Sequence, residues 1–336
     1  MRRICALMLA LCLALGLAGC GSSSTASTSG SGDKRIVSVA TTQPENHPIS
    51  VGLRAMQDYI NEKLGDKVEV KIYYNSIMGD NSQALELLQM GTLNLVATSG
   101  SNLESFSDVY KIFGVPYLFS SEENFRKCMN TPEFIQQIYD CTKDKGLEGV
   151  AWFANGVNNI YSTTPIYTPD DLKGKKFRVQ SSEANVMLVQ AWGAAATILS
   201  YGEVYTALQN HVIDCASNPE MALVNMKHGE VAPYYSRTEH QIFTDMLVAN
   251  VDFLNSLNDE EKPVFEEAFK IATEKECEEW DKQIQDCIVQ AKEMGVEFID
   301  VDKEPFEKLA EPVKEKLLSN PALQSLYPIV QKIQGE

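Results

Sequence analysis

One arginine, Arg178, is the residue of this chain best placed to do chemistry. It stands near the end of a short apolar strand, Lys176-Phe177-Arg178-Val179-Gln180, that follows the turn Pro169-Asp170-Asp171-Leu172-Lys173-Gly174. A helical run follows from Ser182 to Trp192, then a short strand (197–199), a helical segment (200–210) and the stretch Val212 to Pro219. Strand, helix, strand, helix, strand, helix is the order of an α/β domain with a mostly parallel sheet. Such sheets bind ligands outside the carboxyl ends of their strands, and Arg178 and Asn218 both fall at that kind of exit. Arginine presents paired, planar donors that match both oxygens of a carboxylate and stays charged at any ordinary pH. Asn218 before Pro219 reads as a helix N-cap with proline in first place, which would leave backbone N–H groups facing the same mouth. Together they predict a pocket for a small organic anion. Each also has a plainer reading: a surface strand arginine paired with an acid, and an asparagine that only caps a helix.

Three blocks in fixed order, Leu172 to Val179, Gly202 to Gln209, and Val212 to Pro219, resemble the extracytoplasmic solute-binding subunits of tripartite ATP-independent periplasmic (TRAP) transporters, the DctP family. The resemblance extends to Met78-Gly79-Asp80 with Leu85-Glu86 and Gly91, and to Val115-Pro116-Tyr117-Leu118-Phe119. It implies a two-lobed α/β fold, each lobe a central sheet flanked by helices, with a long helix laid along both. It also implies that Arg178 forms a two-pronged ion pair with a substrate carboxylate, that Asn218 donates to the same group, and that Tyr201 covers it from the side. Glu203 is typical of the family, although a first-turn acid there can equally serve the helix dipole. The sialic-acid-binding branch has a second basic residue where Asn158 stands here and an acid near Ser99. Cys215 stands where the family usually has glycine. Without that second cation a buried dianion would be poorly compensated. A monocarboxylate is therefore expected, first a hydroxylated acid such as a sugar acid, second a less polar keto or aromatic acid. The implied partner is a TRAP membrane permease, with an ATP-driven importer or a sensor kinase left open, and the chain is expected to work as a monomer without a cofactor.

The opening residues carry their own message. Arg2 and Arg3, the apolar run 4–17, and Leu17-Ala18-Gly19-Cys20 form a basic region, a hydrophobic region and a small-residue cleavage site, which is an export signal over 1–19. The cysteine after Leu-Ala-Gly resembles a lipoprotein motif, implying that Cys20 is acylated and anchors the chain to a membrane surface. Residues 20–34 are rich in serine, threonine and glycine and read as a flexible tether.

Removing the leader moves the formal charge from −17 to −19, because residues 1 to 19 carry two arginines and no acid. A polyanion such as nucleic acid is therefore an unlikely partner on electrostatic grounds. Of eight cysteines, Cys5, Cys12 and Cys20 belong to the leader and its end. The odd remainder, Cys128, Cys141, Cys215, Cys277 and Cys287, shows no C-x-x-C pair and reads mainly as small buried apolar residues, with a Cys128–Cys141 bridge left open. The histidines (His47, His211, His228, His240) lack metal-ligand spacing. No nucleophile elbow, zinc-protease motif or phosphate loop is present, so the expectation is a binding protein and not an enzyme.

The first half repeats the βα pattern. Strands are expected over 35–42, 68–74 and 93–97, with a helix to about Lys63 and another from Asp80 to Gly91 presenting Ala84, Leu87, Leu88 and Gly91 on one face. Thr41, Thr42, Gln43, Asn46, Thr98, Ser99 and Asn102 stand at its strand exits. Thr42, Gln43, Asn46 and Ser99 join Arg178, Asn218, Tyr201 and Asn158 as candidate ligand groups, though such residues often serve loop backbone instead. The chain would cross between lobes near 149–159 and return near 241–251, making a hinge. Lobe I is expected over 35–155 plus 244–283, and lobe II over 156–243 plus 284–336. Asn258-Asp259-Glu260-Glu261 reads as a capping box opening a helix that runs either unbroken to Met294, on the order of 50 Å, or broken near 273–276, where its apolar stripe thins.

Overall fold

The computed structural model describes residues 34–335; the export signal, Cys20 and the tether as far as Asp33 lie outside the described residues. The first half runs β1 (Arg35–Thr41), α1 (Pro48–Leu64), β2 (Val68–Tyr73), α2 (Asn81–Gln89) and β3 (Leu95–Ser99). Two 3-10 segments, Gly100–Leu103 and Asp108–Gly114, lead to α3 (Glu122–Met129), α4 (Pro132–Asp140) and the long β4 (Leu147–Ser162). The second half runs β5 (Lys176–Val179), α5 (Glu183–Ala191), β6 (Ala195–Ile198), α6 (Val204–Gln209), β7 (Cys215–Asn218) and α7 (Met221–Asn225). The chain returns along β8 (Tyr234–Asn250) and continues through α8 (Val251–Ser256), α9 (Glu261–Glu293), β9 (Glu297–Asp300), α10 (Glu304–Leu318) and α11 (Tyr327–Gln334).

Nine strands form one sheet in the order β2-β1-β3-β8-β4-β7-β5-β6, with β9 beside β8. Each half is parallel within itself: β1 with β2 and β3, and β5 with β6 and β7. The halves are joined by β4 and β8, which pair antiparallel with each other and with β7 and β3. The two crossings foreseen near 149–159 and 241–251 are therefore single strands of 16 and 17 residues that belong to both lobes. Register shifts break their pairing between Ala154 and Val157 and between Asn158 and Ile160. Gly156 in the first break has φ +60°, and a Cβ there would come 2.8 Å from the Trp280 ring. Glycine thus provides both the left-handed backbone and the close approach that the crossing requires.

Helix α9 is unbroken over 33 residues, about 50 Å at 1.5 Å per residue. Its start carries the expected reciprocal bonds: Asn258 Oδ1 accepts from Glu261 N (3.0 Å), and Glu261 Oε2 accepts from Asn258 N (3.1 Å). Its buried face reads Phe265, Ala268, Phe269, Ala272, Glu276, Trp280, Cys287 and Ala291. The apparent gap at 273–276 is filled by Glu276, a glutamate in a core position. There α1 crosses so closely that a Cβ on Gly52 would meet the Ala272 carbonyl at 2.5 Å.

The cores follow the halves. Val37, Val39, Leu53, Met56, Leu95 and Phe153 pack with Phe265 and Phe269 on one face of the first half, while Phe177, Val179, Leu188 and Trp192 pack with Phe306 in the second. The tail departs from the expected lobe division: Val313, Leu317, Leu323, Leu326 and Val330 join the cluster of Phe113, Phe125 and Phe134. Residues beyond about 312 therefore pack on lobe I instead of lobe II, because their apolar faces fit the helices of that half. On α2 the buried residues are Ala84, Leu85 and Leu88, one register step from the expected face, and Asp80 forms its capping box with Gln83. The five cysteines among the described residues are all free thiols, Cys128 and Cys141 included.

Candidate functional site

Strand β5 is short because Gly174 turns the chain sharply before it (φ +76°) and Ser182 caps the helix after it, accepting from Asn185 N. It carries Arg178 into the interior, where the residue is only 3% exposed. Nε donates to the Leu199 carbonyl at 3.0 Å, and the guanidinium carbon lies 5.9 Å from the centre of the Tyr201 ring. No carboxylate among the described residues forms a salt bridge with it. Burial lowers its pKa from the usual arginine value, with Tyr161, Tyr201 and Glu203 acting in the opposite direction. A desolvated cation without an acid partner is costly to maintain, and it is the feature most in need of a functional account.

A cleft opens between the halves, walled by residues of both. Thr42, Gln43, His47, Thr98 and Ser99 line it from the first half, and Gln180, Tyr201 and Asn218 from the second. Asn155, Asp245 and Trp280 complete the wall from the crossing strands and α9. Arg178 lines an adjoining recess with Asn185, Ser217, His240 and Gln241, and Gln180 belongs to both spaces.

The expected residues separate into groups. Arg178, Tyr201 and Asn218 come together. Asn218 Nδ2 donates to the Tyr161 hydroxyl (3.1 Å), which lies 2.9 Å from His228 Nδ1. Burial, then Arg178, lowers the pKa of that histidine to about 3, so it is neutral. Thr42, Gln43 and Ser99 line the opposite side; the Gln43 Oε1 and Ser99 Oγ atoms are buried without hydrogen-bond partners. Asn158 is fully enclosed, with both amide atoms unpartnered, and is not among the residues lining the cleft.

Two readings need correction. Asn218 is not a helix N-cap: it ends β7, paired with Asn159, and α7 starts only at Met221 after Glu220. The Pro219 carbonyl accepts from Ala222 N, so the turn consumes the donors that an N-terminus would have offered. Asn46 lies outside the cleft. It is exposed, its carbonyl accepts from Gln283 Nε2, and the neighbouring His47 turns inward to cap α1 through Nδ1. Glu203 proves to be a local cap, Oε2 accepting from Ser200 N and Oγ.

The sequence reading missed Asp245, His47, Asn155, Gln180 and Trp280. Asp245 is 4% exposed, and burial raises its pKa to about 6 against a hydrogen bond from Asn155 (2.9 Å). A lone carboxylate in the apolar run Ile242 to Val251 was its available signal. His47 is held neutral by burial, with a pKa lowered to about 3. Because its Nδ1 accepts from Ile49 N, the ring proton resides on Nε2.

Beside the cleft, the halves are tied at the start of α5. Glu104 accepts from Ser182 Oγ (2.6 Å) and Ala184 N (3.3 Å), while Lys111 bridges to Glu183 (2.6 Å). Burial raises the Glu104 pKa to about 7, with the bonds from Ser182 and Ala184 opposing. A carboxyl whose folded pKa exceeds its unfolded value stabilises fully below the unfolded pKa and loses that contribution as pH rises through the folded one. The Glu104 contribution should therefore fall between about pH 5 and 8, against the opposite trend of the buried neutral histidines His47, His228 and His240. A rise from 4.5 to about 7 corresponds to about 3 kcal/mol. Thermal unfolding of the native protein and of Glu104→Gln across this window isolates that contribution: the stability of native protein relative to the variant should decline as pH rises.

Comparison with known proteins agrees with this architecture. Residues 39–320 match the family described as bacterial extracellular solute-binding protein, family 7 (DctP). The uncharacterized protein YiiZ of Salmonella typhimurium is 34% identical over 288 residues, covering 85% of this chain and 88% of its own length. A TRAP periplasmic solute-binding protein of Anaerococcus prevotii, solved with bound alpha/beta D-glucuronate, superposes with a TM-score of 0.89 at 39% identity, over 90% of this chain and 99% of that one. Another from Xanthobacter autotrophicus, with bound beta-D-galacturonate, gives a TM-score of 0.85 at 28% identity, over 88% and 99%. With a two-lobed α/β fold built around an interlobe cleft, the chain belongs to the family 7 extracellular solute-binding proteins, the DctP-type binding subunits of TRAP transport systems.

Proposed function

We propose that this chain captures a hexuronate-type sugar acid in the interlobe cleft through an ion pair between Arg178 and the ligand carboxylate, and delivers it to a TRAP membrane permease. The observation that carries the reading is Arg178 itself: a buried guanidinium without an acidic partner, beside a cleft whose other lining groups are polar and mostly neutral. A carboxylate would complete it with paired, charge-assisted hydrogen bonds. Asn218 keeps a second amide N–H for the same group, and Tyr201 screens the pair from water. Gln43, Ser99, Thr42 and His47 Nε2–H offer the mixed donors and acceptors that sugar hydroxyls need. The similar proteins solved with glucuronate and galacturonate support this ligand class.

In this account residues 35–155 with 244–283 close against 156–243 with the chain from 284, bending at the register breaks in β4 and β8, while the tail beyond about 312 travels with the first lobe. The Leu17-Ala18-Gly19-Cys20 motif supports acylation of Cys20 and anchoring at the outer face of the membrane. A thermal-shift panel of D-glucuronate, D-galacturonate, a keto acid and succinate tests the ligand class. Ligand at 100 times its dissociation constant stabilises by about 2.7 kcal/mol, so a uronate should raise the melting temperature by roughly 5 °C. A shift with succinate alone, or with no acid, would refute the reading.

A further inference from the structure

We infer that Asp245 is the specificity-determining residue of the cleft, accepting hydroxyls from the uncharged end of a sugar monoacid and rejecting acids that carry a second carboxylate there. The inference rests on the proposed binding of a hexuronate. It comes from the charges on the cleft walls. Among the described residues that line the cleft there is no lysine or arginine and Asp245 is the only carboxylate; Arg178 is the cation of the adjoining recess. The two groups come from opposite halves. Arg178 lies on β5, whereas Asp245 lies on β8 where that strand pairs with Ser99 of β3 and Phe153 of β4.

Asn155 Nδ2 donates to Asp245 Oδ1 at 2.9 Å and fixes the carboxylate. Ser99, opposite Asp245 in the pairing of β3 with β8, is the other polar group beside it. Burial holds the acid at about 6, so at pH 7.5 it is mainly the anion, which only accepts hydrogen bonds. An ionised carboxylate suits the hydroxyls of a sugar whose single acid group sits at Arg178. An acid of the same length with carboxylates at both ends would set its second charge against Asp245 in a desolvated space, and like charges placed together reject such a ligand.

D-Glucuronate and D-glucarate make the comparison: the carbon remote from the first carboxylate is a ring hemiacetal in one and a second carboxylate on an open chain in the other, so the change in their ratio when Asp245 is neutralised reads the charge. Isothermal titration at pH 7.5 should show the native protein binding glucuronate at least about a hundredfold more tightly than glucarate. Asp245→Asn keeps the shape and an acceptor for Asn155 while removing the charge, and should narrow that ratio to about tenfold or less. It should do so by weakening glucuronate and strengthening glucarate, an outcome that a merely structural role would not give. Asp245→Ser should move the ratio in the same direction, and serves if the first variant fails to fold. An unchanged ratio in a folded neutral variant overturns the inference while leaving uronate binding intact, as does native protein that binds both acids equally. Native protein that binds no hexuronate overturns the proposed function and this inference with it.

Discussion

Arg178→Met is expected to abolish measurable sugar-acid binding while raising the melting temperature of the unliganded protein. Removing one member of a buried, hydrogen-bonded charge pair costs roughly 2–5 kcal/mol, a loss of about 30-fold to several thousandfold in affinity. The stability effect has the opposite sign. Without ligand the guanidinium is desolvated, has no salt-bridged acid among the described residues, and keeps one bond, from Nε to the Leu199 carbonyl. Replacing such a charge with an apolar side chain of similar length is often stabilising by about 1–4 kcal/mol, against about 1 kcal/mol for the lost hydrogen bond. Arg178→Lys retains a charge but not the planar fork, so it should recover only part of the affinity. Calorimetric titration and thermal unfolding of the same preparations read both effects. Reduced stability together with near-native affinity would show that Arg178 is structural.

The second large effect is expected at Glu276, which forms no salt bridge among the described residues. Its side chain is fully buried in α9, Oε2 accepts from the Ala154 N–H at 2.8 Å, and burial pushes its pKa well above the usual range, opposed by that hydrogen bond. Burial thus favours the neutral form of an acid that satisfies a backbone donor where β4 crosses between the lobes. Glu276→Lys would oppose that N–H with a second donor and bury an ammonium, at a cost of about 4 kcal/mol or more. Glu276→Gln keeps the acceptor and should remain within about 1 kcal/mol of the native protein. Urea unfolding of the two variants measures the contrast. Equal stability would mean that the crossing does not depend on this bond.

These two residues also show what the sequence could reveal. The place of Arg178 at the end of a short parallel strand was legible from the βα order and from the family pattern of the blocks around it; its burial without a salt-bridged acid was not. The βα order and the long back helix were legible from periodicity. Glu276 was not, because an acid within an acidic run reads as a solvated helix face until α1 is seen to close over it at Gly52. The same ambiguity left a broken helix open as an alternative. Asp245 was hidden in a different way: strand periodicity identifies the apolar run around it but does not reveal that register with Ser99 brings it to the cleft. Asn218 was found for the wrong reason. Asn-Pro resembles a helix start, yet pairing with Asn159 extends the strand through it, and its amide donates to Tyr161 beside the cleft. The tail's return to the first lobe depends on which apolar faces fit together across some 200 residues of chain, and short-range pattern carries no trace of that.

The central claim is that the Arg178 guanidinium meets the ligand carboxylate, and a crystal structure of the protein with D-glucuronate tests it most directly. The account predicts both carboxylate oxygens facing the guanidinium at about 2.7–2.9 Å, with the sugar hydroxyls directed toward Asp245 and Ser99. A bound acid with its carboxylate held elsewhere, and Arg178 still without an anionic partner, would contradict it.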